Sequence, residues 1–183
     1  MNSLPYAKSM NLKFSVLLLA YIFITSAVVA QEITKKQEKA EQRKALQAAI
    51  EALVTSKTFN FYPSTASAQG FRPVGISSEH NYVKFRPDSI ASKLPFFGQT
   101  YGSIAFGGDN GLAFLGAADD FIVTVKKNNI RISVLVKSEV NVYRLILTVR
   151  FSGNATLSVS SNNRSPVTYE GWISGEEIPL EKP

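Results

Sequence analysis

The 183-residue sequence has no cysteine, a single histidine and a single tryptophan. Without cysteine there can be no disulfide, no thiolate metal ligand, no thiol nucleophile and no lipid attached through an N-terminal Cys. The one histidine, His80, lies in the polar run Ser77-Ser78-Glu79-His80-Asn81. That run reads as a turn, and nothing around His80 has the spacing of a zinc site or a catalytic triad. Asp119-Asp120 and Glu176-Glu177 are each adjacent in sequence. On strands, adjacent side chains point to opposite faces, so neither pair converges on one bond as glycosidase carboxylates do. Asp109-Asn110-Gly111 carries too few oxygens at the wrong spacing for a calcium loop, and no glycine-rich phosphate loop precedes a helix. We therefore expect no catalytic residue, no metal and no cofactor.

What is present begins with an asymmetric N-terminus. Lys8 and Lys13 precede an uncharged apolar run from Phe14 to Ala30 that closes on Ala27-Val28-Val29-Ala30. This is the layout of a secretory signal peptide cut after Ala30. The run is shorter than the roughly 20 apolar residues of a spanning helix and ends with Thr25 and Ser26. Residues 1–30 are read as signal peptide, 31–56 as a charged helix and 57–183 as an antiparallel β domain, the last two forming one globular unit. No stable transmembrane segment is expected after cleavage. Setting aside Lys8 and Lys13 leaves 18 basic residues against 14 acidic ones, a net charge of +4. That is too mild, and too scattered over a helix and hairpin tips, for a nucleic-acid footprint.

Thr34 and Gln37 have capping-box spacing and open the helix. Lys35 to Lys44 contains no large apolar side chain, whereas Leu46, Ala49, Ile50, Leu53 and Val54 share one face. Only the second half of this helix is expected to dock.

The C-terminal half alternates apolar and polar residues through five strands. A two-residue turn at Asn128-Asn129, with asparagine tolerating positive φ, sets Phe121 opposite Val136 and Val123 opposite Val134. Ser138–Asn141 as a loop pairs Val136 with Tyr143 and Ile132 with Leu147. A loop at Ser152-Gly153-Asn154 pairs Val149 with Leu157, and one at Asn162-Asn163-Arg164 pairs Val159 with Val167. Every hairpin then keeps apolar against apolar, and a one-residue slip would destroy that match. The opposite face carries Ser133, Thr148, Thr156, Ser158, Ser160 and Thr168, with Arg131, Arg144, Arg150, Glu170 and Trp172. Arg150, Thr156 and Glu170 fall in one predicted row. Such a face either holds a sugar or peptide, with Arg150 and Trp172 as candidate contacts, or is plain solvent surface.

Shorter strands are expected at Thr58–Tyr62, Phe71–Ile76, Asn81–Arg86 and Leu112–Leu115. The fold class is α+β: an N-terminal helix, then a strongly curled antiparallel sheet of about eight or nine strands, barrel-like or sandwich, ending in the five-stranded meander.

Between strands lies Leu94-Pro95-Phe96-Phe97-Gly98-Gln99-Thr100-Tyr101-Gly102, running on to Phe106-Gly107-Gly108-Asp109-Asn110-Gly111. Glycines allow close backbone approach, and the rings need burial or a ligand. The segment is either a plug for one end of the core or a binding loop, which makes Phe96, Phe97, Tyr101, Phe106 and Asp109 candidate binding residues. With Asn162-Asn163-Arg164 and Tyr169-Glu170-Gly171, these motifs resemble the exported bacterial domain of unknown function 4251 family. The resemblance spans essentially the whole chain. It implies a Gram-negative envelope location and implies no activity, ligand or catalytic residue. It also makes Ser89 a candidate O-glycosylation acceptor, because Asp88-Ser89-Ile90 matches the acidic-hydroxyl-aliphatic triplet modified in exported proteins of that bacterial group. Pro87 favours an exposed loop there; the alternative is a plain turn.

The functional expectation is a non-catalytic binding or interaction module, periplasmic or envelope-associated, with an envelope protein, a peptide or a glycan as partner. The alternatives are a structural or stress-related envelope protein and a hydrolase with an unrecognised site.

Overall fold

The computed structural model of the chain describes residues 35–101, 111–139 and 141–175. The expected signal peptide, the Thr34 cap, Phe106, Asp109 and Glu176-Glu177 lie outside these residues.

Residues 35–55 are helical (α1), and the chain divides into two compact units between Ala45 and Leu46. In the first unit every described residue, 35–45, is exposed, as expected of turns that offer no large apolar side chain. In the second unit the helix is anchored only by its last turns. Val54 is buried, and Ile50 and Leu53 pack against the core. Leu46 and Ala49, placed on the docking face by periodicity, are exposed. At 1.5 Å per residue, Leu46 stands about 12 Å up the helix from Val54, beyond the reach of the core. Lys57 takes a positive φ of 53° just past the helix, where the chain reverses into the first strand.

Nine antiparallel strands follow among the described residues: β1 (Phe59–Ala68), β2 (Val74–Gly75), β3 (Tyr82–Phe85), β4 (Ser89–Leu94), β5 (Leu112–Val125), β6 (Asn129–Lys137), β7 (Val142–Arg150), β8 (Asn154–Ser161) and β9 (Arg164–Ser174). The order is β2-β1-β3-β4-β5-β6-β7-β8-β9, and β1 also pairs with β9. That last pairing closes eight strands into a barrel, with β2 as a short extra strand beside β1. Closure replaces the sandwich alternative, and it removes the sheet edges that an open meander would leave.

The barrel is filled. Phe59, Phe61, Phe85, Ile90, Ile132, Leu145, Leu147, Leu157 and Tyr169 are almost wholly buried inside. The stacked rings Phe59–Phe85, at 4.5 Å, and Phe114–Tyr143, at 4.1 Å, add aromatic packing. The outer face of β6–β9 carries exposed Arg131, Arg144, Arg150 and Glu170 among half-buried hydroxyls. This polarity, apolar inside and charged outside, is the reverse of a membrane-spanning barrel.

Two hairpins keep the predicted register and two are displaced by two residues. Val136↔Tyr143 and Ile132↔Leu147 hold in β6–β7, and Val159↔Val167 holds in β8–β9. In β5–β6, however, Val123 faces Ile132 and not Val134, and beyond a bulge, which adds one more residue to the shift, Val136 faces Ala118 and not Phe121. The turn is Lys127-Asn128, closed by a 2.8 Å bond from Lys126 N to Asn129 O. Neither of its residues, nor Asn129, is among those with positive φ. In β7–β8, Leu147 faces Leu157 and Val149 faces Ala155. That loop is Phe151-Ser152-Gly153, with Gly153 at φ 88° as its last residue, the left-handed position of a three-residue hairpin loop.

Other strands differ more. Ser89–Leu94, expected as loop, is a full strand between β3 and β5. Its inward-facing Ser92 interrupted the apolar alternation; the hydroxyl is buried with no hydrogen-bond partner among the described residues. The segments expected at Leu112–Leu115 and from Phe121 are one 14-residue strand, bent at a bulge where Asp120 has φ 51°. Phe71 lies outside any strand and is 53% exposed.

Candidate binding site

The seam between β9 and β1 contains the main irregularity of the outer face. Register shifts between Pro63 and Thr65, so Ser64 bulges out and its hydroxyl donates to the Glu170 carbonyl at 3.0 Å. Proline has no N–H for a ladder and tolerates a strand only at such a place. Opposite Pro63 stands Gly171, where a Cβ would lie 1.9 Å from the Tyr62 carbonyl oxygen. The two backbones approach that closely because Gly171 has no side chain.

Around this seam is a cavity of about 280 Å³ lined by Ser64, Arg150, Asn154, Thr156, Glu170 and Trp172, with Ala155 and Gly171. Cross-strand register explains the convergence. Asn154 faces Trp172, Thr156 faces Glu170 and Tyr62 faces Trp172. Arg150 and Asn154 flank the three-residue loop, whose Gly153 N–H donates to the Arg150 carbonyl at 2.9 Å. The predicted row Arg150–Thr156–Glu170 is thus corrected: Thr156 and Glu170 are paired, while the two-residue shift carries Arg150 toward the loop. No ion pair joins Arg150 to Glu170 among the described residues, and both side chains are exposed. Trp172 is half-buried, its ring backed by the buried Tyr62 ring at 6.1 Å. The result is a braced indole wall with a cation, an anion, an amide and two hydroxyls at its margin.

At the opposite end of the barrel, the described part of the glycine–aromatic segment folds over the core. The Tyr169 hydroxyl donates to the Pro95 carbonyl at 2.6 Å, and Phe96 and Phe97 pack against the core. Burial pushes the Tyr169 phenol well above its usual range, with the Arg164 charge opposing in part. The Gln99 N–H donates to the Ser165 hydroxyl and the Tyr101 N–H to the Asn163 carbonyl, both at 2.8 Å. Arg164 lies 4.9 Å from the Phe96 ring centre and donates to the Gly111 carbonyl. A second cavity of about 320 Å³ opens here between Asn81, Lys93, Phe96 and Ala113.

The structure thus brings Arg150 and Trp172 into one pocket and places Phe96 in another. Phe97 is core packing, and the Tyr101 side chain is 57% exposed. Ser89 is half-buried at the first position of β4, opposite Ala117, and not in a loop. His80 is exposed in a turn. Sequence reasoning missed Ser64, Asn154 and the role of Gly171. The signals that bear on them are Pro63 and Gly171 themselves, each a sign of irregularity inside a strand.

No curated protein matches the chain. A crystal structure of a DUF4251 family protein from Bacteroides eggerthii DSM 20697 is similar over 70% of this chain and 87% of that one. Its TM-score is 0.55 at 17% identity, a likeness of fold. The sequence profile of the domain of unknown function DUF4251 matches residues 41–173. With that match extending from α1 to the end of β9, the chain belongs to the DUF4251 family.

Proposed function

We propose that the chain is exported to the envelope of a Gram-negative bacterium and acts there as a non-catalytic binding module for a short glycan, held in the Arg150–Trp172 pocket. Export is supported by Lys8, Lys13 and the apolar run ending at Ala30. The pocket carries the rest of the reading. A sugar ring presents apolar C–H faces and polar edges; the first suit an aromatic face, and the second suit the charged and amide groups around Trp172. About 280 Å³ accommodates one or two sugar rings rather than a folded partner.

Because Trp172 is the single tryptophan, its emission reports directly on occupancy of the pocket. Titrating envelope-purified protein, whose intact mass should begin at Gln31, with oligosaccharide fragments is expected to shift that emission and raise the melting midpoint. Arg150→Ala should weaken binding roughly tenfold, the usual scale of one lost charge-assisted hydrogen bond. Emission that responds to peptides and to no glycan, or that ignores Arg150→Ala, would overturn the assignment.

A further inference from the structure

β5 continues beyond its partner. Its pairing with β4 ends at Ala117, and only a 3.2 Å bond from Ala118 N to Asp88 O extends it. Asp119 and then, past the bulge, Ile122 to Val125 are paired with β6 alone among the described residues. Ile122, Val123 and Val125 are 59%, 41% and 58% exposed there. Among the described residues this stretch is a free edge longer than that of the two-residue β2, and it is apolar.

The backbone direction follows from the hairpin. Lys126 N bonds Asn129 O, so Lys126, Thr124 and Ile122 direct their N–H and C=O groups toward β6. By alternation, Phe121, Val123 and Val125 direct theirs outward. The sequence along this edge is Asp119-Asp120-Phe121-Ile122-Val123-Thr124-Val125-Lys126-Lys127, acidic at one end, basic at the other and β-branched between.

We propose that this edge pairs antiparallel with the same edge of a second copy, about a two-fold axis at Val123. In that register Val123 faces Val123, Phe121 faces Val125 and, at the ends of the ladder, Asp120 faces Lys126; Asp119, beyond the bulge, is already held by Lys137 at 2.6 Å. Every outward-directed backbone group in the ladder then meets an equivalent one, and each pair exchanges both N–H···O bonds. Any other register that aligns the backbone groups takes Asp120 away from Lys126. The apolar stripe Phe121-Val123-Val125 continues from one copy into the next on one face. Because such contacts are isologous and each copy has one edge of this kind among its described residues, the assembly closes as a dimer and does not grow into a fibre. The bulge at Asp120 and the hairpin tip limit the ladder at its two ends.

Sedimentation equilibrium of the mature protein tests this. A concentration-dependent dimer is expected, and Val123→Pro, which removes the central N–H, should leave a monomer with an unchanged circular dichroism spectrum. Asp120→Lys and Lys126→Asp should each weaken the dimer roughly tenfold, since symmetry places two like-charge pairs across the strands. The double variant Asp120→Lys/Lys126→Asp, or an equimolar mixture of the two single variants, should restore it. A monomer at every concentration, or a dimer indifferent to the single charge variants, would overturn the proposal. If Val123→Pro fails to fold, the charge variants on the exposed edge still decide.

Discussion

Val134→Asp is expected to cost on the order of 3–5 kcal/mol or to prevent folding, whereas Ser158→Asp is expected to leave the urea midpoint nearly unchanged. Val134 is 1% exposed at the centre of β6, facing Leu145 across the strand. A carboxylate there has no partner and no water, and an unpaired buried charge costs several kcal/mol even after it neutralises. Ser158 is half-buried on the outer face, between Ile146 and Thr168, where a longer polar side chain turns into solvent. Both sites are strand interiors, and the whole span of β propensity, about 1 kcal/mol, is too small to produce the expected difference. Similar midpoints for the two variants would show that the faces of β6 and β8 are assigned the wrong way round.

Gly171→Ala is expected to destabilise by about 3 kcal/mol, at the upper end for overpacking. A single methyl group would meet the Tyr62 carbonyl at 1.9 Å and Pro63 Cα at 2.8 Å, both backbone atoms that cannot swing aside. Relief requires β1 and β9 to separate where the barrel closes. Gly75→Ala provides the control, since nothing lies within 4 Å of a Cβ there and the strand position is exposed. In the Gly171 variant the emission of adjacent Trp172 should also move, because the same displacement widens the pocket. Equal urea midpoints for the Gly171→Ala and Gly75→Ala proteins would mean that the seam is slack.

The sequence made one face of every C-terminal strand legible and left part of the register open. Apolar alternation fixes the parity of a strand, so no hairpin is displaced by a single residue. It does not distinguish registers two apart, because both set apolar against apolar. Turn chemistry decides between them; Gly153, left-handed at the last loop position, carries that signal, but the expected loop Ser152-Gly153-Asn154 set it in the middle and displaced the hairpin. Turn chemistry was not readable at Lys127-Asn128, where neither residue is left-handed and two asparagines compete for the turn. β4 was hidden by inward-facing Ser92, and the length of β5 by Gly116 and the acidic bulge that follow its apolar start. Trp172 and Arg150 entered the candidate site through parity alone. Their meeting follows from the β7–β8–β9 register, which sets Asn154 between them; closure of β1 on β9 adds Ser64 and the Tyr62 ring, a contact between distant parts of the chain that no local pattern encodes.

That closure also orders the steps of folding. Most neighbouring barrel strands are joined by hairpins, and the longer connections, residues 69–81 between β1 and β3 and 95–111 between β4 and β5, are still far shorter than the seam, where Ser67 and Thr168 meet across 101 residues of chain. Loop-closure entropy makes such a contact about 3 kcal/mol dearer to initiate than a hairpin of a few residues. The hairpins can form one after another as local events, and the seam is left to the end, when the rest of the barrel already holds β1 and β9 close together. The pocket beside Trp172 is built on the seam, so it is the last feature of the molecule to exist and the first to be lost in any partial opening. Amide exchange under native conditions should therefore be faster at Ser67 and Thr168, which face each other across the seam, than at Val134 and Leu147; uniform protection across these positions would contradict that order.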